Sequence, residues 1–155
     1  MKSRPTDTRS DSVPGVPVDV GIRDGLERFR FVAWGEIEGT TPSLNDILGV
    51  HFAELRRKKR DWRLRVLLAF DRYEVPRAEP GEVRGLRIVS RRRQLVDRDN
   101  LVGGVKFLVD GMKHAGFIFD DSPAVLRLSV TQEQVRTRRE ERTVVGLYFG
   151  TEARE

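Results

Sequence analysis

From Arg28 to Glu38 the chain reads RFRFVAWGEIE, with Phe29, Phe31 and Ala33 alternating with Arg28, Arg30 and Val32. A period of two with frequent aromatics predicts a strand, closed by Gly39. The period then changes. In TPSLNDILGVHFAELRRKKRDWRLRVLLAF, the residues Leu44, Ile47, Leu48, His51, Leu55 and Trp62 recur at helical spacing. They predict one long helix with a shared apolar face. Ser43 followed by Asp46 resembles a capping box at its start. His51 on that face is expected to be an interior histidine with a hydrogen-bond partner. Periodicity fits VLLAF as more helix or as a buried strand, and helix is the expected form. Pro76, Pro80 and Gly81 then break the chain.

VRGLRIVSRR predicts a second strand, with Val83, Leu86 and Ile88 inward. It runs into RQLVDRDN, which places Asp97 and Asp99 at the strand end or in the following turn. On an extended segment the two side chains would point to one side. Leu101, Val105, Leu108 and Met112 then form one apolar stripe, expected in a core or a dimer interface, and predict a second helix. Gly116 is its stop, with Lys113 and His114 as last-turn cations. The pair Gly103-Gly104 disfavours helix, so the regular turns are expected from near Val105. Asp110 is placed to pair with Lys106 or Lys113 at helical spacing. Val125, Leu126, Leu128 and Val130 mark a third strand, RTRREER a turn or hairpin end, and TVVGLYFG a last strand. The order β-α-β-α-β-β predicts a small two-layer α+β domain, a mixed sheet covered by two main helices. It should span residues 27–150. Residues 1–26, polar and Pro/Ser-rich, read as a flexible tail, and residues 151–155 as a short C-terminal one.

The length of 155 residues suits one domain that buries a core without cross-links. The chain has no cysteine, which removes disulfides and thiolate metal sites. No apolar run approaches bilayer length and the N-terminus has no signal-peptide core, so a cytoplasmic protein without a membrane partner is expected. The net charge is +5, with basic clusters at Arg56–Arg60, Arg91–Arg93 and Arg136–Arg142. Such clusters fit a polyanionic partner and equally fit solvated faces.

Two acidic clusters flank the second helix: Asp97 and Asp99 before it, Asp120 and Asp121 after it. Aspartates in these positions are common turn formers and helix caps. If the four converge instead, their mutual repulsion calls for a hard divalent cation. Mg2+ takes oxygen ligands and serves phosphodiester chemistry by activating water and stabilising a leaving oxygen. Spacing alone leaves both readings open.

The combined pattern adds to this. RRRQLVDRDNL, then VKFLVDGMKHAGFIFDDSPAV, resembles the RusA family of Holliday junction resolvases. The matching residues are Asp97, Asp99, Asn100, Leu101, Lys106, Asp110, Ala115, Gly116, Phe117, Asp120 and Asp121. Upstream, TPSLN (Thr41 to Asn45) resembles the family's P-P-S-x-N, and the likeness spans about residues 28–149. The resemblance implies a homodimeric, Mg2+-dependent endonuclease, with Mn2+ as a substitute ion, that nicks four-way DNA junctions symmetrically. It implies Asp97, Asp99 and Asp121 as metal-binding carboxylates, Asp120 as the weaker member of its pair, and Lys106 as the catalytic lysine. Arg91, Arg92, Arg93, Lys58, Lys59 and Asn45 would contact DNA. A non-catalytic protein binding branched DNA is the rival reading. Two departures are visible. Lys106 follows Asp99 by seven residues where the family has four, and Gln94, Leu95 and Val96 separate the arginines from Asp97. The added residues before Lys106 either extend the helix by ~4.5 Å or loop out at the two glycines.

Overall fold

Four strands form one mixed sheet, and the helices cover one of its faces. The computed structural model describes residues 25–150. The expected tails lie outside the described residues except at Gly25 and Leu26, and Leu26 is buried against Gly85 and belongs to the domain. Strand β1 (Phe29–Glu38) is followed by helices α1 (Leu44–Leu48) and α2 (Phe52–Ala69), strand β2 (Arg84–Arg92), helices α3 (Arg98–Gly104) and α4 (Lys106–His114), and strands β3 (Leu126–Gln134) and β4 (Arg142–Gly150). The sheet order is β1-β4-β2-β3. Strands β2 and β3 are parallel, with Arg84 opposite Leu126 and Arg92 opposite Gln134. Strand β4 is antiparallel to both β1 and β2. This is the expected small α+β fold.

Several local expectations change. The long first helix is two helices, interrupted at Gly49–His51. Ser43 and Asp46 do form a reciprocal capping box on α1. The second helix is also divided, by a single turn at Val105. RTRREER is a turn carrying a short 3-10 segment, Arg138–Glu140, but not the end of a hairpin, because β3 and β4 are separated by β2. Leu128 is exposed on the edge strand β3.

The main core lies between sheet and helices. Leu86 and Ile88 of β2, Val145 and Leu147 of β4, Val66 of α2, and Leu101, Val105, Leu108 and Met112 are all buried there. The last four are therefore core residues. Gly111 lets α4 approach α2: a methyl group there would lie 3.1 Å from Val66 and 3.4 Å from the Trp62 carbonyl. A smaller cluster of Leu26, Phe29, Phe31, Val89, Val144 and Tyr148 lies on the other side of the sheet. Among the described residues no helix is long and apolar enough to cross a membrane.

Candidate functional site

The VDRDN segment is a helix start. Asp97 is the N-cap of α3, and its carboxylate accepts the Asn100 backbone N–H at 2.9 Å and the Asn100 side-chain amide at 2.8 Å. The Asn100 amide N–H hydrogen bond, reinforced by the side-chain one, holds the Asp97 carboxyl below its ordinary value. It stays anionic, which suits the positive end of the helix. Asp99 lies in the first turn and is exposed. The two aspartates are therefore not a same-side pair on an extended strand. One is a cap and the other is already helical.

Asn100 also joins the two sequence motifs. Its Oδ1 accepts the backbone N–H of Asn45 at 3.2 Å, tying TPSLN to VDRDN. The two glycines explain the rest of that seam. A methyl group on Gly104 would fall 1.8 Å from the Pro42 carbonyl oxygen, and one on Gly103 would fall 2.8 Å from Leu44. The glycines do not loop out. They sit within α3 where the Pro42–Leu44 backbone and side chain need the space. A Gly-Gly pair inside an apolar helical pattern is the signal that could have revealed this approach. Lys106, exposed, opens α4 one residue past the break.

The second acidic pair does not join the first. Strand β2 leads up to Asp97, and the loop carrying Asp120 and Asp121 leads into the start of β3. Since β2 and β3 are parallel and in register from Arg84↔Leu126 to Arg92↔Gln134, these points lie at opposite ends of the sheet. Eight strand steps span ~26 Å. No group of three or more His, Cys, Asp or Glu side chains among the described residues could hold a metal ion. The expected convergence of Asp97, Asp99, Asp120 and Asp121 is thus corrected for a single chain, because the βαβ connection runs the length of the sheet between them. Asp120 instead pairs with Lys113 at 2.8 Å. That hydrogen bond holds Asp120 below, and Lys113 above, their ordinary values. Asp121 is exposed.

The three consecutive arginines at the end of β2 and just past it also separate. Arg92 is buried on the helix-covered face, its Nε donating to the Gln94 carbonyl at 3.0 Å, and it is removed from any DNA-facing surface. Arg91 pairs with Glu133 at 3.3 Å and Arg93 with Glu141 at 2.7 Å. Lys58, half-buried, lies 3.9 Å from Glu54, and Lys59 is half-buried. Asn45 is exposed. His51 is not interior: it is exposed at the N-cap of α2, with no capping side-chain bond. His114 is an exposed last-turn residue, as expected. No family model and no curated protein sequence matches the chain.

Proposed function

We propose that the chain is a Mg2+-dependent endonuclease that nicks four-way DNA junctions as a homodimer, as its resemblance to the RusA family implies. The observation that supports this is the seam between TPSLN and VDRDN, where Asn100 bonds both Asn45 and Asp97. It fixes the two most telling motifs against each other and presents two exposed carboxylates, Asp97 and Asp99, at a helix start. Two carboxylates fit this ion, because Mg2+ keeps several waters and completes its shell with substrate phosphate oxygens. When bound, it would supply an activated water and charge for the leaving oxygen. Asp97, anchored through Asn100, and Asp99 would hold it, with Mn2+ able to replace it. Lys106 would bind phosphate. Asp120 and Asp121 stand outside this set within one chain. Paired nicks on a symmetric junction call for two sites, which a two-fold homodimer supplies.

A second reading, a branched-DNA binder that does not cut, is favoured by one specific observation. Both Asp97 oxygens are already engaged by Asn100 as a helix cap. Incubation with a synthetic four-way junction, in Mg2+ or in chelator, separates the two. Nicking that needs the metal supports the endonuclease. Tight binding without nicking in either Mg2+ or Mn2+ establishes the binder. Sedimentation equilibrium at micromolar concentration should show a dimer.

A further inference from the structure

Helix α2 carries a cationic face that neither acidic motif explains. Trp62 and Val66 are buried and Leu55 is half-buried, which fixes its inner side. At ~100° per residue the outward line runs through Arg56, Arg57 and Arg60, then Leu64 and Leu68. All five are exposed. Arg56 stacks over the Phe52 ring at 4.4 Å, and Arg57 only reaches Glu54 at 3.8 Å with most of its side chain in solvent. Among the described residues Arg60 makes no ion pair.

The placement of this face matters as much as its charge. Helix α2 follows α1 directly, and α1 is held to α3 through Asn45 and Asn100. The arginine half of α2 therefore lies at the same end of the molecule as Asp97 and Asp99. The leucine half runs toward Phe70, whose ring packs at a tilt against Phe117, 5.3 Å between centroids, beyond the far end of α4.

We infer that the Arg56–Arg57–Arg60 face of α2 is the surface along which the backbone of a nucleic acid strand is held as it passes the Asp97 end of the domain. This rests on the endonuclease-or-binder reading above and assigns its DNA surface, in place of the buried Arg92. The three guanidinium groups fall within ~6 Å of helix axis. A DNA strand advances ~3.4 Å per phosphate, so this length faces about two successive phosphates. Anionic membrane is the other polyanion to consider. A helix lying on a bilayer needs an apolar stripe along its whole length. The stripe that α2 has is already spent on the core, and between the exposed Phe52 at its start and Leu64 in its last turns the exposed side is mostly charged.

The test is the triple variant Arg56→Gln/Arg57→Gln/Arg60→Gln, in the full chain, titrated with a fluorescent four-way junction across a salt series. These side chains are exposed, so Tm should stay within a few degrees, and the single variants serve if it does not. The expected result is at least a tenfold loss of affinity at low salt. The slope of log K against log salt should become shallower by about 0.9 for each phosphate that the variant no longer neutralises. Wild-type affinity and slope in the variant would overturn the α2 assignment while leaving the junction-binding reading intact. A wild-type chain that ignores DNA would overturn both. Binding of the wild type to phosphatidylserine vesicles but not to DNA, abolished in the variant, would give the face to membrane and overturn the inference.

Discussion

Two arginines stand on the same face of β2, eight residues apart, and both are buried, yet they are held differently. At the end where the chain enters β2, Arg84 lies over the Phe149 ring at 4.2 Å and donates to the Phe117 carbonyl at 2.9 Å. It also pairs with Glu82 at 3.2 Å. At the end where the chain leaves, Arg92 has one hydrogen bond among the described residues, to the Gln94 carbonyl, and each arginine leaves one buried nitrogen without a partner there, Nε of Arg84 and Nη1 of Arg92. Burial pulls both guanidinium groups below the usual arginine value, opposed by Glu82 in one case and by Glu141 and Asp46 in the other. The Arg84 end is closed with the Phe149 ring, the Phe117 carbonyl and an ion pair to Glu82. The Arg92 end is polar, with Ser90 and Thr143 also buried there, and it carries the Asp97 seam. One end is built for cohesion, and the other keeps polar groups and exposed charge where a ligand could use them.

The widest test of that division is catalytic. Asp97→Asn and Asp99→Asn should each lower junction nicking at least 100-fold while leaving junction affinity within a few-fold, since removing a carboxylate weakens the metal site but not the phosphate contacts. Asp120→Asn, at the opposite end, should keep most activity. Equal loss from Asp121→Asn would mean that a second copy delivers this carboxylate to the site. Unimpaired nicking by both Asp97 and Asp99 variants would remove the site from this end altogether.

The next test is thermodynamic. Arg84→Met strands Glu82 and the Phe117 carbonyl and should cost about 3 kcal/mol in urea denaturation. Arg92→Met removes a half-satisfied buried cation and should stay within about 1 kcal/mol of the wild type, in either direction. Equal costs would show that the Arg92 end is as tightly specified as the other.

The fold and the site were not equally legible in the sequence. The strands declared themselves by alternation, and the Leu101–Met112 stripe by helical spacing, because burial on one face imposes a period that local residues must obey. The breaks at Gly49 and Val105 are set by how α1 and α3 pack, and no period records that. The interior reading of His51 failed for the same reason: the interruption turned a face residue into an exposed N-cap. The two acidic clusters were each visible, but their distance was not. It depends on the parallel pairing of β2 with β3, a contact between segments some forty residues apart.

The glycines of α3 offer a smaller and more local contrast. Gly104→Ala places a methyl on the Pro42 carbonyl, a backbone atom that cannot swing aside, and should cost about 3 kcal/mol. Gly103→Ala meets only the Leu44 side chain, which can re-pack. The helix gain of about 1 kcal/mol from Gly to Ala should nearly cancel the crowding there. If Gly104→Ala is also neutral, the seam between TPSLN and VDRDN is looser than the Asn45–Asn100 bond indicates.

The smallest expected effect compares the two acidic ends by pH. Asp97 and Asp120 both have folded values below the ordinary carboxylate, the first through the Asn100 amide and the second through Lys113. For a depressed carboxylate, the stabilisation is complete above the unfolded value of about 3.9 and is lost as pH falls through the lower folded value. Asp97→Ala should therefore lower Tm by a few degrees at pH 7. Its gap to the wild type should close as pH falls below about 4. Asp97→Asn should keep most of the cap at every pH, because a side-chain amide oxygen still accepts the Asn100 N–H. Asp120→Asn should change Tm less, since its pair with Lys113 is open to solvent and screened. Raising the salt to about 1 M should erase the Asp120 difference and leave that of Asp97→Ala, because a hydrogen-bonded cap survives screening that a surface ion pair does not. If salt erased both differences alike, Asp97 would be held by charge alone, and the hydrogen bonds through Asn100 would not be what fixes it at the start of α3.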